Sequence, residues 1–429
     1  MILGSNAWNG STDGFFCWNS NNAVGNSDVN NGALATSRDV NQLQIVSTCA
    51  TPDCGQNRTT NAVSKFMLKG ASSRRRFSAN EYVRSDFVKR LNNLITEETI
   101  TEKFCKDAIK EAAKHKHKRK SVRKILLHID EKAKELKDMI LNETFEPSPY
   151  VYKTKIEYGK VRKLCIPRFF PDQCIHHILI MLIRDFIIKR IDPYAIASIP
   201  KRGQIMAIKY IKRWKFTKYI IKGDIQKCFE SIKPQVIMDM YKRMIKDKKY
   251  LRLKSLVVFN ADSLPLGNYC SAFDLNLLLK NMDEYIRSHK FVKHYIRYMD
   301  DFVIFVTNRR KAKKLREGIA EVLDKIGLNL KENYQLYKFS DRGLDFVGYR
   351  FFGKYTILRK RNLVKIYRQK DKLKGVITEH IAMSILSRLG FATHCFSSYS
   401  RKLFNIKQLK DVIKNWHTHS HNLQMIGVA

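Results

Sequence analysis

The sequence has 429 residues and carries 80 Lys and Arg against 40 Asp and Glu, a formal net charge of +40. With 44% hydrophobic and 11% aromatic residues it can bury a sizeable core, which excludes disorder along its whole length and predicts two or three domains or one multi-lobed one. Ordinary Gly and Pro counts exclude collagen-like or mucin-like chains, and no run of about 18 uncharged apolar residues offers a membrane span.

The opening MILGSNAWNG lacks the basic-then-apolar layout of a secretory signal. Nine scattered cysteines, an odd number, predict reduced thiols and a cytoplasmic location. So basic a foldable chain calls for a polyanion, with nucleic acid the leading candidate.

Residues 1–61 hold only Arg38 and Arg58 as cations against Asp13, Asp28, Asp39 and Asp53, so the positive excess lies entirely beyond them. This stretch is rich in Asn, Ser and Gly, with turn-forming Asn-Gly and Gly-Asn pairs and no sustained periodicity. It is expected to be an appended extension, irregular or repeat-like. Cys49 and Cys54 form a C-x4-C without a second pair nearby, which argues against zinc.

From about Ser78 the pattern turns helical. Val122, Ile125, Leu126, Ile129, Ala133, Leu136 and Ile140 form one apolar stripe and predict a single helix over 121–142. The preceding run Lys114–Lys120 is either a solvated face or a phosphate contact. A strand-like KVRKLCIP (160–167) lies among four prolines, and helical segments follow at 173–191 and 204–214. Strand-like runs at 218–225, 294–306 and 344–352 alternate with helical patterns at 234–247, 271–287 and 311–326. That order predicts an α+β fold with a small antiparallel sheet backed by helices. The last stretch is helical, basic and aromatic.

Tyr298-Met299-Asp300-Asp301, flanked by apolar strand residues, reads as the tip of a β-hairpin, where a carboxylate can project from the sheet edge. An isolated Asp-Asp pair is most simply a polar turn. Asp224 changes this, because it closes the β-rich run Lys218–Gly223; if that strand neighbours the hairpin, Asp224 and Asp300 meet. Three carboxylates on adjacent strands form a hard-oxygen site suited to Mg²⁺. Two such ions about 3.5–4 Å apart activate an attacking hydroxyl and clamp the leaving oxygen in phosphoryl transfer.

The blocks resemble those of reverse transcriptases. Lys222–Ile232 (KGDIQKCFESI) resembles motif A, Leu264–Ala272 (LPLGNYCSA) motif B, and YMDD at 298–301 motif C. Gly343–Tyr349 (GLDFVGY) resembles the turn after motif D, and Lys160–Pro167 the fingers strand that grips the incoming triphosphate. The blocks occur in the family's order over about residues 120–400. The resemblance implies a right-hand polymerase: fingers over 62–217, an RRM-like palm over 218–353 and a short helical thumb over 354–429, with no room left for ribonuclease H or integrase.

By the same resemblance, Asp224 and Asp300 would bind two Mg²⁺ ions, with Mn²⁺ as a substitute. Asp301 would support them and the backbone carbonyl of Ile225 would add a ligand. Lys160 and Arg162 would contact the triphosphate of a dNTP, the guanidinium fork suiting two phosphate oxygens. Leu266 and Gly267 would lie at the nucleotide, and Ser271, Tyr298, Met299 and Gly348 at template or primer; a packing glycine and a helix N-cap serine are the alternatives for Gly267 and Ser271. Phe229, five residues after the motif A acid, would lie under the sugar and exclude a 2′-hydroxyl, a core Phe being the competing reading. The thumb-like run Ser387–Lys402 mixes aromatics with cations, which suits a duplex.

Many reverse transcriptases carry Gln before the motif B glycine; here Leu266 stands in its place, and LPLGN resembles the enzymes of diversity-generating retroelements. Those enzymes copy a template RNA into cDNA while misincorporating opposite adenine. They work with a small basic accessory protein oligomer, the variability determinant, and no membrane. The family's Gln after the serine is Ala272 here. A phage-defence reverse transcriptase and a non-catalytic RNA-binding scaffold are the competing readings. The phrases of residues 1–61 resemble a translated template or variable repeat, against a plain polar linker.

Overall fold

A computed structural model describes residues 90–157, 160–395 and 404–425; for Glu157, Lys160, Lys372 and residues 416–425 only the backbone is described. Residues 1–61, with Cys49 and Cys54, and residues 396–402 of the thumb-like run lie outside these ranges.

Among the described residues five α-helices precede the four-stranded sheet. Helix α1 (Glu102–Ala113) is capped by the Thr101 side chain and buries Cys105, Ala108, Ile109 and Ala112. The stripe over 121–142 does not make one helix. It divides into α2 (Lys120–Leu127) and α3 (Ile129–Leu141), because His128 leaves the helical region at φ −113°, ψ 37°. The apolar spacing runs unbroken across that residue, so periodicity alone could not reveal the break; the break lets α2 and α3 pack on different neighbours. A two-stranded ribbon, β1 (Val151–Glu157) and β2 (Lys160–Ile166), then leads into α4 (Cys174–Arg190). Val151, Tyr152, Ile156 and Val161 are exposed, so no core lies beneath much of the ribbon.

After α5 (Gln204–Arg213) comes β3 (Tyr219–Gly223), followed by helices α6 (Pro234–Met244), α7 (Lys248–Val258), α8 (Tyr269–Leu278) and α9 (Lys280–Ser288). Strands β4 (Val292–Tyr298) and β5 (Asp301–Val306), helix α10 (Arg309–Asp324) and strand β6 (Gln335–Lys338) complete the unit. The four strands pair antiparallel in the order β4-β5-β3-β6. With helices between β3 and β4 and between β5 and β6, this is the βαββαβ arrangement of an RRM-like palm. Strand β5 reads as a continuous apolar run because both its faces are covered.

Alternate residues feed two cores. Ile221, Tyr295, Phe302 and Ile304 face the helices α4 and α6–α9. Ile220, Ile296, Val303 and Phe305 pack against α5, a second sheet and the C-terminal helices. That second sheet comprises β7 (Leu344–Phe346), β8 (Tyr349–Phe351) and β9 (Thr356–Leu358). The expected strand over 344–352 is therefore a hairpin, reversing at Val347 (φ +42°) and Gly348 (φ +86°). Helices α11 (Lys360–Tyr367), α12 (Glu379–Ala392) and α13 (Ile406–Met425) follow, α13 lying against α12. No helix among the described residues is long and apolar enough to cross a membrane.

Behind α8 lies a charged pair with almost no solvent. Lys254 Nζ donates to Asp274 Oδ2 at 2.9 Å and Oδ1 at 3.0 Å, and Tyr241 Oη donates to Asp274 Oδ1 at 2.6 Å. Burial opposes the ammonium's charge, but Asp274 outweighs it and raises the Lys254 pKa. Lys254→Met strands the carboxylate and should cost about 3–5 kcal/mol, measured by urea unfolding, whereas Lys254→Met with Asp274→Leu should recover most of that loss.

Candidate active site

The acids that the sequence singles out come together because β3 and β5 are neighbours. Asp224 follows β3 directly, with Gly223 opposite Phe302 in the register. Gly223 is required there, since a Cβ would stand 2.3 Å from the Phe302 ring. Tyr298 pairs with Asp301, leaving Met299 and Asp300 as a two-residue turn with Met299 at φ +58°. The hairpin expected from YMDD is thus present, and it delivers Asp300 and Asp301 to the end of the sheet where Asp224 emerges.

Their electrostatics fit crowded carboxylates. Asp300 is 8% exposed. Burial first, then the charges of Asp224 and Asp301, hold its pKa well above the usual carboxylate value. The Asp301 pKa is also raised by burial and by Asp224, against the opposing pull of Lys222, Arg359 and Lys331. Lys331 Nζ donates to Asp224 Oδ2 at 2.9 Å, which raises the lysine pKa. The loop that carries Lys331 is tied to motif A by backbone hydrogen bonds, Lys331 N to Asp224 O (2.9 Å) and Gln226 N to Asn329 O (2.8 Å). Lys222 Nζ donates to the Asp345 carbonyl at 2.8 Å, and Arg359 pairs with the Asp345 carboxylate, drawing the β7 segment to the same edge.

Among the described residues no three His, Cys, Asp or Glu side chains stand close enough to enclose a metal ion by themselves. The donor set nevertheless suits a hard divalent cation: clustered acids, one nearly buried, whose mutual repulsion such an ion would relieve. Asp224 now satisfies its charge with Lys331, so an arriving ion would compete with that ammonium.

The remaining candidates distribute unevenly. Leu266 is half-buried, and its carbonyl accepts from Cys165 N at 2.8 Å, joining the motif B turn to β2. Gly267 sits at φ +108°, where a Cβ would lie 3.0 Å from the Cys165 carbonyl oxygen, so the close approach of β2 and the turn demands glycine. Arg162 stands on β2 opposite Lys155; Lys160 is placed by its backbone alone, opposite Glu157. Phe229 is buried in the short helix Cys228–Ser231 that follows Asp224. Ile225 is buried and bridges to Leu330. Tyr298 is half-buried at the end of β4. The Gly348 carbonyl accepts from Arg359 N at 3.0 Å and Asn362 Nδ2 at 3.2 Å.

Two of the candidates turn their side chains inward. Ser271 was expected at template or primer, but it is buried within α8 and its hydroxyl donates to the Pro265 carbonyl at 2.7 Å, which shapes the motif B turn. The Met299 side chain, also expected there, is buried in the core beneath the hairpin, so it anchors the turn from inside.

Sequence reasoning passed over Lys331 and Arg297. Lys331 lies in a polar loop with no distinguishing pattern. Arg297 carried only a weak signal, a cation between Ile296 and Tyr298 three residues before Asp300.

The RRM-like sheet thus presents three acids at one end. Residues 151–351 match the family described as "Reverse transcriptase (RNA-dependent DNA polymerase)". Over this segment the chain carries a reverse transcriptase domain. No curated protein matches it significantly. Among solved structures, telomerase from Candida albicans in complex with the TWJ fragment of telomeric RNA is similar, with 10% identity and a TM-score of 0.39. That match covers 58% of this chain and 55% of the telomerase chain.

An acid whose pKa is raised in the fold contributes stability that is complete below its unfolded pKa and is lost as pH rises through the folded value. Without metal, Asp300→Asn should therefore melt above the wild type at pH 8, with the gap closing toward pH 4. Added Mg²⁺ should raise the melting temperature of the wild type and leave that of the variant unchanged. Scanning calorimetry with and without Mg²⁺ checks both outcomes.

Proposed function

We propose that this chain is the reverse transcriptase of a diversity-generating retroelement, copying a template RNA into cDNA with relaxed selection at adenine. The polymerase part rests on the meeting of Asp224, Asp300 and Asp301 inside the family-matched segment. The finer part rests on Leu266: at the position where many reverse transcriptases carry Gln, its aliphatic side chain can make no hydrogen bond to a templating nucleotide. Ala272, where the retroelement enzymes usually carry Gln, is buried in α8 and departs from their pattern.

Asp224, Asp300, Asp301 and the Ile225 carbonyl would hold two Mg²⁺, or Mn²⁺ in their place. When bound, such ions lower the pKa of a primer hydroxyl and stabilise the leaving pyrophosphate oxygen. The protein's own residues do the rest. Lys160 and Arg162 on the ribbon grip the triphosphate, Phe229 closes the space below the sugar, and Gly267 admits the nucleotide. Tyr298 and the Gly348 turn border the primer. Lys331 holds the Asp224 carboxylate in place by its hydrogen bond until the cation replaces it.

On this reading residues 62–217 are fingers, 218–353 palm and 354–429 thumb, with residues 1–61 a separate extension. The protein works in the cytoplasm with a template RNA and a small basic accessory protein oligomer, the shared positive charge being neutralised on the RNA.

Sequencing cDNA made from a defined RNA tests the assignment: substitutions concentrated at template adenines support it. Faithful copies or homopolymer would favour a defence enzyme, no extension at all would favour a non-catalytic scaffold, and equal extension by Asp300→Asn would overturn the metal assignment. Asp300→Asn should lower the rate on the order of 10³-fold, since the ion clamp is worth several kcal/mol. Phe229→Ala should raise ribonucleotide incorporation relative to dNTPs; unchanged discrimination would assign Phe229 to the core alone. Leu266→Gln should reduce adenine substitutions.

A further inference from the structure

One buried cation lies beneath the catalytic turn without facing solvent or substrate. Arg297 is 0% exposed, on the face of β4 that otherwise presents Tyr295 to the core. Its guanidinium uses all five of its N–H donors. Nε donates to Asp283 Oδ1 at 2.8 Å and Nη2 to Asp283 Oδ2 at 2.7 Å, a bidentate fork. Nη2 also reaches the Asn276 carbonyl at 3.4 Å. Nη1 divides its two donors between Asn276 Oδ1 and the Met299 carbonyl, each at 3.0 Å.

We propose that Arg297 is a positioning residue for DNA synthesis: through the Met299 carbonyl it sets the orientation of the Met299–Asp300 peptide, and hence of the Asp300 carboxylate. This rests on the reading of Asp224, Asp300 and Asp301 as the metal-binding centre. Three observations carry it. Met299 holds φ +58°, a conformation costly for a non-glycine residue unless its surroundings impose it, and the guanidinium bonds its carbonyl directly. A buried ion pair is seldom worth more to stability than well-packed apolar groups, and the neighbouring core positions on this face are apolar or aromatic. What the pair does supply is direction, since every donor has one fixed acceptor.

Third, Asn276 lies on α8 and Asp283 on α9, and α8 begins at the Leu266–Gly267 turn. One guanidinium thus spans the helix that carries the nucleotide-side turn and the hairpin that carries the acids. Backbone bonds from Arg297 to the 194–196 segment hold the strand from its other side: Arg297 N to Tyr194 O and Ile196 N to Arg297 O, both 3.0 Å. The structure supplies its own control in Tyr295, whose hydroxyl donates to Asp283 Oδ1 at 2.5 Å but makes no bond to the turn.

The test uses the full chain in primer extension, with melting temperature, kcat, KM for dNTP and half-saturating Mg²⁺ measured for each variant. Arg297→Met with Asp283→Leu replaces the pair by apolar groups. It should stay folded, its melting temperature lowered as in Tyr295→Phe because the Tyr295 hydroxyl loses Asp283, yet lose about tenfold or more in kcat and need several-fold more Mg²⁺, with KM for dNTP nearly unchanged. Should it fail to fold, Arg297→Lys keeps the charge but cannot reach Asp283, Asn276 and Met299 together, and carries the same expectation. Tyr295→Phe should lower the melting temperature and leave kcat and the Mg²⁺ requirement unchanged. A folded Arg297 variant with wild-type kcat and Mg²⁺ dependence, or a Tyr295→Phe variant with the same Mg²⁺ shift, overturns the inference. A wild-type chain with no Mg²⁺-dependent extension overturns instead the reading of the site on which it rests.

Discussion

Negative charge held out of water at one end of a four-stranded sheet is the condition around which the molecule is organised. Asp300 is nearly buried and Asp301 half-buried, both beside Asp224, and burial penalises each charge before the acids repel one another. Lys222, Lys331 and Arg359 lower that cost from three separate segments, and Lys331 contacts Asp224 directly. The sheet order makes the crowding unavoidable. Strand β3 lies between β5 and β6, so the end of one strand and the turn of a distant hairpin must meet. A fold that only needed stability would keep such acids apart.

A second dependence follows at the motif B turn. Cys165 N bonds Leu266 O, and Gly267 lets the two backbones approach to within one missing Cβ. The exposed ribbon is therefore anchored at its base to the turn that begins α8, and α8 is tied through Asn276 and Arg297 to the acid-bearing hairpin. Ribbon, motif B turn and acid-bearing hairpin are thus joined by one chain of hydrogen bonds. Changes at the base of the ribbon have a direct physical route to Asp300.

Much of this was legible in the sequence because local chemistry and tertiary role agreed. The apolar run Phe302–Val306, the Asp-Asp tip and the acid after Lys218–Gly223 each announce their place, and the long helices over 173–191 and 311–326 follow from spacing. The failures share a different cause. His128 interrupts a helix without disturbing the apolar repeat, so only the packing of α2 and α3 reveals the break. Strand β6 is four residues of mixed polarity and exists because β3 offers it an edge. Ser271 and Met299 sit inside family motifs, yet their side chains turn inward, and a motif specifies position in the chain but not direction. Arg297, Asp283 and Asn276 are scattered in sequence and become one object only when β4 is laid on α8 and α9.

The palm sheet is a wall common to two cores, and its residues answer to them by turns. Ile221, Phe302 and Ile304 belong to the side packed on α4 and α6–α9, whereas Ile220, Val303 and Phe305 belong to the side shared with the second sheet and the terminal helices. Adjacent residues on one strand thus answer to different packing partners. The C-terminal lobe can diversify by altering every second residue of the palm while the alternate set holds the acids in register. Descendants of this chain could acquire new nucleic-acid surfaces on one side of the wall without renegotiating the chemistry on the other.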